Sequence, residues 1–115
     1  MTIQKCYEQI GSDYEEVLGR FGKEEFVQRF ALKFLKDNNF YELRDALEKK
    51  EIEAAFRAAH TLKGICLNLG FKRLYEVSSE LTEVLRTNTL EGTEALFKKV
   101  ETEYITTIEA LKNVE

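Results

Sequence analysis

The sequence predicts an all-α protein, an antiparallel up-and-down four-helix bundle with additional short helices at the N-terminus. Three observations predict it. Apolar residues recur at spacings of three and four along most of the chain, as in helices with one buried stripe. No segment sustains the two-residue alternation of a strand. The connections between the long stripes are short, which favours antiparallel neighbours. A chain of 115 residues suffices for one core and is short for two. The expected unit is a single domain over 1–115, with 1–22 as an N-terminal helical extension and the bundle over about 23–114.

Proline is absent, so glycine and asparagine punctuate the chain. Ile3, Cys6, Tyr7 and Ile10 form a short stripe that stops at Gly11. Ser12 with Glu15 has a capping-box pattern for a second helix, whose stripe of Tyr14, Val17, Leu18 and Phe21 stops at Gly22. Phe26, Val27, Phe30, Ala31, Phe34 and Leu35 predict a third helix to about Asp37. Asn39 with Glu42 reads as another capping box, opening the segment with Leu43, Ala46 and Leu47. After a charged turn near Lys50 and Glu51, a long helix carries Ile52, Ala55, Phe56, Ala59, Leu62, Cys66 and Leu69 on its buried stripe, ending at Gly70. Phe71 opens a helix with Leu74, Val77, Ser78, Leu81 and Leu85 inside, broken by Thr87-Asn88-Thr89. A final helix carries Leu96, Phe97, Val100, Tyr104, Ile108 and Leu111.

Composition narrows the function classes. Hydrophobic residues make up 43% and charged residues 33%, an ordinary balance for a folded soluble domain. No apolar run reaches the length of a membrane span, and no basic-then-apolar leader follows Met1, so the default expectation is a cytoplasmic protein without membrane contact. The net charge of −4 and the lack of a basic stripe with interleaved aromatics argue against nucleic acid. Cys6 and Cys66 lack metal-ligand spacing, fall on apolar stripes and read as small buried hydrophobes rather than a disulfide.

His60 is the only histidine, and it lies inside the long helix three residues before Lys63 and four before Gly64. With about 100° of turn per residue, His60, Gly64 and Leu67 share one shoulder of that helix, and Lys63 lies between this shoulder and the stripe's edge. A glycine inside a helix costs roughly 1 kcal/mol relative to alanine. Something other than helix stability selects it here. A neutral imidazole nitrogen can accept a phosphoryl group near neutral pH, and phosphoryl transfer asks mainly for in-line positioning and neutralised charge. Lys63 offers a point charge one turn away, and Arg57, three residues before His60, adds to the positive field. Gly64 removes bulk where a partner must come close.

Taken singly, these residues have blander readings. A lone histidine on a helix is usually a surface residue, Lys63 a solvated one, Gly64 a packing contact and Leu67 part of the core. Their joint placement is the informative feature. Ala59-His60-Thr61-Leu62-Lys63-Gly64, followed by Leu69-Gly70, resembles the signature of histidine-containing phosphotransfer (HPt) domains. The motif covers about a dozen residues, and the resemblance in helix order runs from about Phe26 to Leu111. It implies a phosphocarrier without kinase activity or cofactor of its own, shuttling phosphoryl groups through His60 between aspartates of receiver domains. The implied partners are response-regulator receiver domains and a hybrid sensor kinase, met by a monomer. Some family members carry a glutamine that hydrogen-bonds the histidine, at the position of Thr82; here Thr82, Ser79 or Glu83 is left to orient the ring. Gly64, Leu67, Thr82 and Ser79 are the expected docking residues.

Other histidine chemistries fit less well. A histidine-kinase dimerisation domain places an acidic residue after the histidine and a proline soon after, whereas Thr61 follows here. A di-iron bundle needs paired Glu-x-x-His motifs, and Arg57 stands where that glutamate would be. The remaining alternative is a helical adaptor that binds such partners without carrying phosphate.

Overall fold

A computed structural model describes residues 1–115. Its helices are α1 (Ile3–Gln9), α2 (Tyr14–Phe21), α3 (Glu24–Lys33) with a 3₁₀ turn at Phe34–Lys36, α4 (Asn39–Glu48), α5 (Ile52–Leu69), α6 (Lys72–Arg86) and α7 (Thr93–Lys112). Helices α4 to α7 run up and down, each packed on the next. The ring closes between α4 and α7, where Phe40 stacks on Tyr104 with centroids 4.1 Å apart and planes 7° from parallel. The expected all-α, antiparallel four-helix bundle is the fold observed, and short helices precede it.

One buried cluster runs through the molecule. Ile3, Cys6 and Tyr7 of α1, Val17 of α2 and Val27 of α3 belong to the same core as Leu43, Leu62, Leu81 and Leu111 of the bundle. Removing a side chain such as Leu62 from water is worth about 1.5–3 kcal/mol, so the inner stripe of α5 holds the bundle together. Cys6 and Cys66 are free thiols in this core. Burial pushes Cys6 up to about 11 and Cys66 further in the same direction, so both stay protonated and unreactive at neutral pH.

Two caps differ from the local patterns. The N-cap of α2 is Asp13, whose carboxylate accepts from Glu16 N at 3.2 Å. Ser12 is displaced from that role, and its hydroxyl instead accepts from Lys72 N at the start of α6, at 3.2 Å. Asn39 is already inside α4, so its side chain donates to Asp37 at 2.9 Å, while its backbone N–H donates to the other oxygen of the same carboxylate. The N-cap position of α4 falls on Asn38, which makes no side-chain cap bond, and Asp37 takes up only the first amide of the helix.

The end of α5 is tied down from outside the bundle. Gly70 takes the left-handed conformation (φ 72°) of a helix stop, and a Cβ there would collide with Val17. A helix leaves its last four carbonyls without intrahelical partners, and here all four are satisfied. Cys66 O accepts from Phe71 N, and Leu67 O from Gly70 N. The Arg20 guanidinium of α2 donates to Leu67 O and Asn68 O at 2.8 and 2.6 Å. The Tyr7 hydroxyl of α1 donates to Leu69 O at 2.6 Å.

Candidate functional site

The buried side of α5 fixes where its outer side points. With Ala55, Ala58, Ala59, Leu62, Cys66 and Leu69 inside, the turn of the helix leaves His60, Gly64 and Leu67 exposed on one shoulder. Leu67 is 52% exposed, a large apolar side chain that the core does not use. A Cβ built on Gly64 would meet nothing within 4 Å. Gly64 is therefore no packing residue, and its helix-propensity cost is not offset by any internal contact. Lys63, next to this shoulder on α5, is half-buried.

The His60 ring is stacked 15° from parallel on Phe56, one turn earlier, with centroids 5.8 Å apart. Phe56 is only partly buried, because it shares its faces between the core and this histidine. The Arg86 guanidinium, from the last turn of α6, lies 5.0 Å from the Phe56 centroid. Arg86 also donates from Nε and Nη2 to Glu83 at 3.2 Å each. The Arg86 bond holds the Glu83 carboxyl below its ordinary range, helped by the charges of Lys63 and His60.

Arg57 does not add a free charge. Its guanidinium turns back one helical turn to Glu53, at 2.8 Å, in the glutamate-first i,i+4 order that helices favour. Thr82 is the clearest correction. It is fully buried, and its hydroxyl donates to Ser78 O at 2.7 Å, so it can neither touch a partner nor orient His60. One residue further on, a turn of about 100° leaves Glu83 exposed. Ser79 is half-buried on α6.

The structure thus gathers His60, Lys63, Gly64 and Leu67, leaves Thr82 inside, and adds Phe56 and Arg86. Phe56 carries a legible signal, since a residue four before His60 must lie beneath it on the helix. Arg86 carries none locally, because a basic residue in a last helical turn is already explained by the helix dipole. Chemically, the arrangement offers an exposed imidazole one turn from bare backbone, with the cationic side chains of Lys63 and Arg86 nearby.

No helix is long and apolar enough to cross a membrane. The family model described as Hpt domain matches residues 37–114. No curated protein and no solved structure matches the chain.

Proposed function

The chain belongs to the Hpt domain family, a family of phosphotransfer modules in phosphorelays, and from that premise we propose that it is a histidine phosphocarrier acting through His60. An imidazole nitrogen of His60 attacks the phosphorus of an aspartyl phosphate on a receiver domain. The P–N bond forms as the P–O bond to aspartate breaks, and the carboxylate leaves. The same exchange run backwards passes the group to an aspartate of a second receiver, with a hybrid sensor kinase upstream. Lys63 neutralises charge on the phosphoryl oxygens, Gly64 lets the partner's phosphate-bearing loop come close, and Leu67 supplies apolar contact at the rim. Magnesium and the catalytic carboxylates belong to the receiver. We take 1–115 as one unit, working as a cytoplasmic monomer, because α1 and α2 share the bundle's core.

The observation that carries this reading is the exposed His60 beside an unfilled Gly64 and a flanking Lys63 on one shoulder of α5. Incubation with a phosphorylated receiver domain tests it. Acid-labile, base-stable phosphate is expected on the wild type and absent from His60→Gln, with the helical circular dichroism of the two alike. Undiminished labelling of His60→Gln overturns the assignment, and because no second histidine exists the result is unambiguous. A wild type that binds the receiver and takes no phosphate is an adaptor.

A further inference from the structure

Glu83 stands on α6 at the edge of the His60 shoulder, and its surroundings are cationic. Both of its carboxylate oxygens accept from Arg86, at 3.2–3.3 Å. Arg86 covers Phe56, and Phe56 underlies His60, so pair, ring and imidazole form one connected group across α5 and α6. Lys63 takes part in none of the four ion pairs in the protein. Its charge is among those that Glu83 feels. An exposed pair such as Glu83–Arg86 adds little to stability. Its location is therefore the informative property, because it places a fixed negative charge beside the site that receives a phosphoryl group.

We propose that Glu83 is a positioning residue that limits the lifetime of phosphohistidine on His60, by occupying Arg86 and by repelling the incoming phosphoryl charge. This rests on the reading of His60 as the phospho-accepting residue. In the resting protein Glu83 is the counter-charge of Arg86, and Lys63 adds to the positive field around it. Once His60 carries a group with nearly two negative charges, the carboxylate becomes its like-charged neighbour and competes with it for the same cations. The phosphoryl group is then held loosely enough to be passed on. Its spontaneous loss follows the same logic. Water oxygen bonds to phosphorus, the P–N bond breaks with its electron pair returning to the imidazole nitrogen, and that nitrogen takes up the proton, leaving neutral His60 and inorganic phosphate.

Glu83→Gln removes the charge and keeps the size. Wild type and variant are phosphorylated with phosphoramidate, freed of donor, and followed by ³¹P NMR at neutral pH. The half-life of phosphohistidine is expected to lengthen about threefold to tenfold in Glu83→Gln. The difference should shrink as salt is raised from about 0.05 to about 0.5 M. Glu83→Asp, which keeps the charge, should stay close to wild type, and so should Glu109→Gln, the same charge change made on α7. Equal half-lives in wild type and Glu83→Gln, a difference indifferent to salt, or the same lengthening in Glu83→Asp or Glu109→Gln each overturns the role of Glu83 and leaves the carrier reading standing. Failure of the wild type to form phosphohistidine overturns the carrier reading and this proposal with it.

Discussion

The two sides of α5 are built under different rules. On the inner side Ala55, Ala59, Leu62 and Cys66 are fully buried, and each position is as apolar and as closely packed as helix and core require. On the outer side His60 and Leu67 are exposed, and Gly64 faces open space where any good helix former would fit. The inner side obeys the energetics of folding. The outer side gives up helix propensity without an internal gain, and such local inconsistency is expected where a surface is shaped for something outside the molecule.

The largest expected effect breaks the inner side. Leu62→Ala should lower stability by about 2–5 kcal/mol through lost transfer energy and the cavity left behind, read as a shift in the urea unfolding midpoint. A cost well under 1 kcal/mol would mean that the two sides are not energetically distinct.

Gly64→Gln probes the outer side with bulk. Helix content and melting temperature should be unchanged or raised, while transfer from a phosphorylated receiver domain should fall roughly tenfold or more, since small misplacements are costly in phosphoryl transfer. Phosphoramidate, which needs no protein-sized approach, should still label His60. An unfolded Gly64→Gln variant would turn the glycine into a packing residue and erase the contrast.

Lys63→Ala should act on the phosphoryl group more than on the fold. Slower transfer or a shorter phosphohistidine half-life is expected, with a stability change under about 1 kcal/mol. Equal rates and equal half-lives would make Lys63 a bystander.

The smallest effect carries the opposite sign. Gly64→Ala should stabilise the protein by about 0.5–1 kcal/mol, because the added methyl group meets no neighbour and alanine suits a helix better. A destabilised Gly64→Ala in thermal unfolding would show that the outer side is under packing constraint after all.

What could be read from the sequence followed the range of the interactions. Stripes and helix stops are local. The buried face of α5, the ends at Gly22 and Gly70 and the grouping of His60, Gly64 and Leu67 follow from periodicity and from where glycine is tolerated. The capping box expected at Ser12 fell one residue short, because the Ser12 hydroxyl is engaged by Lys72, sixty residues away, and Asp13 caps α2 instead. Thr82 failed for a related reason. Which face of α6 turns inward is set by its packing against α5 and α7 together, not by the spacing of its own residues. Arg86 entered the site only through its contact with Phe56, a pairing between helices that no spacing within either one encodes.

The Ser12 hydroxyl at the head of α6 also has a kinetic consequence. The N-terminal pair α1 and α2 holds the last carbonyls of α5 through Tyr7 and Arg20, and the first free amide of α6 through Ser12. Undocking of that pair exposes both sides of the α5–α6 corner at once, so the corner opens as one cooperative unit rather than by independent fraying of two helix ends. Amide protection at Lys72 should then depend on residues 1–22 as much as on α6, and the lower end of the His60 helix is only as rigid as the N-terminal pair is firmly seated.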